Sequence, residues 1–273
     1  MELYMNNILH AVLVLGGLGI FFGLVLAIAS KVFYVKVDER KEAVAACLSG
    51  ANCGACGYAG CSAYASAIIN NGAPINLCLP GGSETAAKIS AVMGVAPAKV
   101  EKVVAFVRCS GGEKAHVKYE YEGIASCAKA ASSISGGQRA CTYGCLGFGD
   151  CVHACPFGAI DIVKGVALVD RDKCRSCKKC VAVCPKKLIT MIPYSATSTI
   201  ACNNIDKGGI TRNLCESGCI GCKLCEKNCP HNAVHVENNV ATKDFSKCTN
   251  CGICAEKCPR KLIAATAKHP ESA

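Results

Sequence analysis

The chain has 273 residues, 25 of them cysteine and none tryptophan, with 5% aromatic residues and a formal net charge of +10. Cysteine at this density excludes an ordinary apolar core, and closely spaced C-x2-C groups in a chain of this length point to metal rather than to the disulfides of a small secreted domain. The basic excess at first suggests nucleic acid or anionic lipid, but metal-bound cysteines are thiolates and weaken that reading.

Residues 8–29, ILHAVLVLGGLGIFFGLVLAIA, carry no formal charge and reach about 33 Å as a helix, enough to span a bilayer. A signal peptide fits poorly, because no Lys or Arg precedes the apolar run. Lys31, Lys36, Arg40 and Lys41 follow it. The positive-inside rule therefore predicts a single-pass anchor with its N-terminus outside the cytoplasmic (inner) membrane and everything after Ser30 in the cytoplasm. Gly19 and Gly23 form a GxxxG pair that suits helix packing, although glycine is common in membrane helices anyway. With only His10 near one end, this helix has no ion pathway of its own.

A basic connector, VFYVKVDERKEAVAACLSG, reads as helical. Beyond it Cys53, Cys56, Cys61 and Cys78 are spaced C-x2-C-x4-C-x16-C. Three cysteines within nine residues and a distant fourth favour a [4Fe-4S] cluster over zinc, which normally takes two separated C-x2-C pairs. Gly54, Gly57 and Gly60 let the backbone wrap closely. SETAAKISAVMGV then predicts an amphipathic helix and KVEKVVAFVRC a strand.

The remainder is duplicated with a period of 74 residues. Cys145, Cys151, Cys155, Cys174, Cys177, Cys180 and Cys184 recur as Cys219, Cys225, Cys229, Cys248, Cys251, Cys254 and Cys258, and CRSCKKCVAVCPKKLI matches CTNCGICAEKCPRKLI at eight of sixteen positions. Such a period means two copies of one structural unit. The pattern C-x2-C-x2-C-x3-C-P occurs three times, and each unit resembles a bacterial two-cluster ferredoxin. In that family three cysteines of a motif hold one cluster and the cysteine before proline holds the other. The resemblance implies three sets: Cys219, Cys222, Cys225 and Cys258; Cys248, Cys251, Cys254 and Cys229; and Cys174, Cys177, Cys180 and Cys155. The apolar segments after each Cys-Pro, GAIDIV, KLITMI, AVHVEN and KLIAAT, read as small strands or turns over the clusters.

One set is irregular. Aligning CTYGCLGFGDCVHACPFGAI with CESGCIGCKLCEKNCPHNAV puts Cys141 on Cys215 and Phe148 on Cys222. The simplest repair is that Cys141 replaces the missing ligand, giving Cys141, Cys145, Cys151 and Cys184; the alternative is a vacant site. Five cysteines remain. Cys109, Cys127, Cys202 and Cys215 can gather a sixth cluster between the units or serve as buried structural thiols, and Cys47 has no evident partner. Five clusters, each about −2 with its thiolates, offset the +10, so the basic excess is largely counter-charge and no nucleic-acid partner is expected.

A row of clusters moves single electrons, and no GxGxxG or P-loop binds NAD or ATP here. Lys173, Lys178, Lys179, Lys186 and Lys187 in one unit, with Lys223, Lys227, Lys257, Arg260 and Lys261 in the other, suit either docking of an acidic carrier or simple charge compensation. An N-terminal membrane helix, the Cys53–Cys78 motif and ferredoxin modules, with VRCSGG, YEGIASC, CTYGCLGFGDC and GCIGCKLCEKNCP, together resemble the B subunits of Rnf complexes, in the multicluster form of anaerobes. Shorter members of that family carry one ferredoxin unit, so this chain departs by having a second.

The resemblance implies an α+β chain. Its expected parts are a transmembrane anchor (1–30), a small helical [4Fe-4S] domain (31–98), a connector (99–135) and two tandem ferredoxin-like modules (136–195 and 196–273). It implies electron transfer from reduced ferredoxin or flavodoxin toward the other membrane and peripheral subunits of an ion-translocating ferredoxin:NAD+ oxidoreductase. NAD reduction and Na+ or H+ transport would lie in those subunits. An iron-sulfur subunit of a hydrogenase, formate dehydrogenase or quinone-linked enzyme is the competing expectation, but such subunits are not expected to begin with the Cys53–Cys78 motif. A structural zinc scaffold is a third.

Overall fold

The computed structural model describes residues 2–33, 38–97, 100–133 and 135–265; Lys36 and the chain after residue 265 lie outside these. Two compact units are formed by residues 1–41 and 42–273. The first holds α1 (Glu2–Val32), a helix long and apolar enough to cross a membrane, with Lys31 in its last turn. Gly19 and Gly23 have open space where a partner helix would approach.

In the second unit α2 (Glu39–Cys47), α3 (Cys61–Asn71) and α4 (Gly82–Met93) pack Val44, Leu48, Ile68 and Ile89 into a small core. α3 and α4 end where Gly72 and Gly94 take left-handed conformations, closing the last turn as glycine does without strain. The basic connector is thus helical over 39–47, and the amphipathic pattern of SETAAKISAVM becomes α4.

The two modules follow. In the first come β1 (Val103–Val107), α5 (Cys127–Ala131), α6 (Asp150–His153), β2 (Ile160–Val163), β3 (Val166–Val169), α7 (Lys179–Val183) and β4 (Ile189–Pro193). The second comprises β5 (Ser198–Ile200), α8 (Gly208–Leu214), α9 (Leu224–Lys227), β6 (Val234–Glu237), β7 (Val240–Lys243), α10 (Ile253–Glu256) and β8 (Ile263–Ala265). Each module has two antiparallel pairs: β1 with β4 and β2 with β3, then β5 with β8 and β6 with β7. All four segments that follow a Cys-Pro become strands, β2, β4, β6 and β8, because their alternating apolar residues cover the cysteines beneath.

The segment 99–135, expected as a connector, does more than connect. Its strand β1 pairs with β4 as β5 pairs with β8, and Val107 lies opposite Ile189 as Ile200 lies opposite Ile263. Arg108 and Ala201 donate their amides to the equivalent carbonyls of Leu188 and Leu262 at 2.8 and 3.2 Å. Cys109 and Cys202 therefore leave their strands at the same structural position. Between Cys109 and Cys141 the first module has nineteen more residues than the second has between Cys202 and Cys215. That insertion leaves and returns through bridges from Val117 to Arg139 and from Ala115 to Cys215 of the second module.

Candidate functional site

In the helical domain, Asn52 accepts a hydrogen bond from the Cys61 amide at 2.9 Å, which caps α3 and holds the neighbouring Cys53 beside Cys61. Gly54 and Gly57 have positive φ and close a tight turn between them, with the Gly57 amide donating to the Gly54 carbonyl at 2.9 Å. The Tyr64 hydroxyl donates to the Pro74 carbonyl at 2.5 Å and accepts from the Leu77 amide at 3.1 Å, fixing the loop that delivers Cys78. Cys56, Cys61 and Cys78 share this core, and Cys47 packs with them at the end of α2.

Four cavities of similar size are walled by cysteine in the modules. Cys155, Cys174, Cys177 and Cys180 line one of about 320 Å³, and Cys229, Cys248, Cys251 and Cys254 one of about 300 Å³. These are sets anticipated from the ferredoxin pattern. Cys219, Cys222, Cys225 and Cys258 are likewise brought together: the other three thiols act on the ionisation of Cys225.

The other two cavities depart from expectation. Cys127, Cys145, Cys151 and Cys184 line one of about 370 Å³, so the partner of the Cys145 set is Cys127, delivered by the insertion, and not Cys141. Cys141 instead lines a cavity of about 400 Å³ with Cys109, Cys202 and Cys215. The physical reason is the insertion itself, which carries Cys127 back over the gap left by Phe148. The Asp150 carboxylate, at the start of α6, accepts hydrogen bonds from the Ser126 hydroxyl and the Cys127 and Ala128 amides at 3.0, 2.9 and 3.0 Å. Burial alone would raise the pKa of Asp150, but these donors hold it below the ordinary carboxylate value. Tyr121, also in the insertion, lies against Phe148 with ring centroids 5.2 Å apart.

The cavity between the modules is lined by Cys109 and Cys141 of the first, Cys202 and Cys215 of the second, and at its edge by Cys145, which also lines the neighbouring cavity. The Cys145 amide points at the Cys109 sulfur (3.4 Å) and the equivalent Cys219 amide at the Cys202 sulfur (3.3 Å). Arg260 donates to the carbonyls of Cys215 and Gly218 at 2.7 and 3.3 Å, and Arg108 to that of Cys202 at 3.3 Å. In the same wall, Asn204 Nδ2 and Arg139 Nε are buried donors without a protein acceptor. An electron-rich sulfur cluster among the four cysteines would supply that acceptor, so the residues fit the group.

Burial pushes the Cys141, Cys151 and Cys180 thiols up to about 12 and the Cys145 and Cys225 thiols to about 11. Thiolates become tolerable there only against a cationic core. Among the described residues no three Cys, His, Asp or Glu side chains converge on a point suited to a single ion. Spaces walled by four or more cysteines suit a polynuclear cluster.

Comparison with known proteins agrees in kind. An Fe-S cluster family matches residues 48–80, and 4Fe-4S dicluster domain families match 139–189, 218–263 and 173–233. Cys109 and Cys127 lie outside all of these. The chain is 44% identical over 245 residues to the B subunit of the Na(+)-translocating ferredoxin:NAD(+) oxidoreductase complex of Acetobacterium woodii, covering 89% of this chain and 73% of that one. It is 44% identical over 242 residues to the B subunit of the ion-translocating oxidoreductase complex of Methanosarcina acetivorans, covering 88% and 91%. The B subunit of the proton-translocating ferredoxin:NAD(+) oxidoreductase complex of Clostridium ljungdahlii is 42% identical, over 89% of this chain and 86% of its own. At this identity and coverage the chain belongs to the B-subunit family of ion-translocating oxidoreductase (Rnf) complexes.

Proposed function

We propose that this chain is the membrane-anchored, multicluster electron-transfer subunit of an Rnf-type complex, taking electrons from reduced ferredoxin and passing them to partner subunits that reduce NAD+ and export Na+ or H+. When bound, [4Fe-4S] clusters supply one-electron redox chemistry. The residues supply six four-cysteine sites in succession, and that succession is the observation that carries the reading. The Cys53 thiol acts on Cys177, Cys151 lies near Cys180, Cys145 near Cys109, and Cys202 near Cys219. The chain thus offers continuous spacing from the Cys251 site to the Cys53 site.

The ligand sets are Cys53, Cys56, Cys61 and Cys78; Cys155, Cys174, Cys177 and Cys180; Cys127, Cys145, Cys151 and Cys184; Cys109, Cys141, Cys202 and Cys215; Cys219, Cys222, Cys225 and Cys258; and Cys229, Cys248, Cys251 and Cys254. Buried Asn204 and Arg139 support a sixth cluster at the intermodular set, and Lys31 in the last turn of α1 with Arg40 and Lys41 after it support a cytoplasmic location for the cluster domains.

Anaerobic purification tests this reading through iron. The intact protein is expected to hold about 24 irons, four per cluster. Cys109→Ser and Cys141→Ser should each remove about four, and the double variant still only about four because both serve one site. A loss of about eight in the double variant, or none in Cys109→Ser, would overturn the intermodular assignment. A colourless zinc protein would end the electron-transfer reading.

A further inference from the structure

Cys222 and Cys251 are the exposed cysteines among the described residues, and both belong to the second module. Their counterparts in the first module are covered. Cys222 is replaced by Phe148 under Tyr121, and Cys177, the counterpart of Cys251, is buried on the side where the Cys53 thiol acts on it. Electron transfer between proteins needs a redox centre near the surface, and among the described residues the two exposed cysteines mark the second module for that role. The two exposed sulfurs differ in their surroundings. Beside Cys251, the neighbours Asn250, Gly252 and Ile253 are half-buried.

Beside Cys222, two large apolar side chains stand in solvent: Ile205 at 45% and Leu224 at 42% exposure. The fold gathers them there. Asn239 Nδ2 donates to the Ile205 carbonyl at 3.0 Å, while the Asn239 backbone packs so tightly on Gly221 that a Cβ there would lie 3.0 Å from its carbonyl oxygen. Gly208, opening α8 (Gly208–Leu214), packs on the Ile220 carbonyl, and Arg212, four residues on, lies on that same side of the helix. Lys207, Arg212, Lys223 and Lys227 surround the apolar group, all exposed. Two acids lie among them: Asp206, half-buried between Ile205 and Lys207, and Glu226, half-buried, which accepts from the Val236 amide at 3.1 Å and sits 3.9 Å from both Lys223 and His235.

We propose that this face, with Ile205 and Leu224 beside Cys222 and a rim of Lys207, Arg212, Lys223 and Lys227, is the docking surface for a small acidic ferredoxin. The inference rests on the electron-transfer reading above and adds where the donor sits. An apolar centre inside a charged rim is the anatomy of a transient protein interface, and the basic rim selects and steers an acidic partner. The donor then meets the module's inner site directly, and the Cys251 site lies beside the point of arrival rather than ahead of it.

The test uses the full-length protein with its clusters, purified anaerobically in detergent, and an acidic bacterial two-cluster ferredoxin as the probe. Affinity for the oxidised ferredoxin is measured by titration calorimetry at low and high salt. Lys207→Glu with Lys227→Glu should weaken binding about tenfold at low salt and flatten its salt dependence. Leu224→Ser should weaken it at both salt levels. Iron content reports whether each variant has folded, and Lys247→Glu with Lys257→Glu beside Cys251 is the control that should change little. Unchanged affinity in the first pair, or weakening confined to the control pair, would overturn this surface while leaving the ferredoxin reading in place. An intact protein that neither binds ferredoxin nor is reduced by it, yet is reduced by dithionite, would overturn that reading and this surface with it.

Discussion

The two ferredoxin modules share a fold but have opposite relations to solvent. At one pair of equivalent positions the second module has Cys222 and Leu224, both exposed, and the first has Phe148 and Asp150, which hold an inserted segment in place. A single exchange of ligand for phenylalanine thus has three consequences. It removes a sulfur, creates a platform for Tyr121, and makes the inserted Cys127 necessary. The first module covers the position that the second exposes, although their cysteine spacing is nearly the same.

The largest expected effect that tests this contrast is on iron. Cys127→Ser should remove about four irons from the first module, since three cysteines are left around that cavity. Adding Phe148→Cys should restore them, because it recreates the regular triplet of the second module. Iron that stays lost in the double variant would show that the insertion does more than supply a sulfur.

A smaller effect is expected at Asp150. Asp150→Ala removes the acceptor of three hydrogen bonds at the start of α5 and should cost about 1–2 kcal/mol, read as a lower thermal midpoint with earlier loss of iron. Because the Asp150 pKa is lowered in the folded chain, its contribution is present above the ordinary carboxylate pKa and fades as pH falls through the depressed value. The intact protein and the variant should therefore differ at pH 7 and converge in strong acid. Equal midpoints at pH 7 would remove Asp150 from the account.

The smallest effects concern ring and guanidinium contacts. Tyr121→Ala should cost about 0.5–1.5 kcal/mol and make Phe148 accessible, measurable as increased binding of an apolar dye. Arg260→Lys brings the second module closer to the first, whose equivalent residue is Lys186. It gives up the paired contacts to Cys215 and Gly218 and should cost about 1 kcal/mol.

Much of this was legible from spacing. Each Cys-Pro announced a strand or turn after it, and all four became strands, since proline ends the preceding turn and the alternating residues that follow cover the sulfurs. The alignment of Cys141 with Cys215 was also sound, and the structure sets those two in one cavity. What misled was proximity in sequence. Cys141 stands beside the defective triplet, and Cys127 reaches it only because nineteen extra residues loop out and return. The overlooked signal was that Cys109 and Cys202 each follow a strand by two residues, which pairs them and leaves Cys127 as the cysteine without a counterpart. Asp150 and Asn204 gave no such signal, because capping a distant helix and donating into a cavity depend on tertiary placement.

The two-plus-two division of the intermodular cysteines bears on how the protein matures. As the chain emerges from its N-terminus, the two sites internal to the first module have all their sulfurs once Cys184 is made. The intermodular site must wait for Cys215, and the inner site of the second module for Cys258. Its completion also needs Ala115 to have found Cys215 and Arg260 to have reached the Cys215 carbonyl, so both modules must already be folded against each other. Iron delivered there seals a finished pair, and a chain interrupted between the modules would keep a complete first half with two unclaimed thiols, Cys109 and Cys141, at its open end.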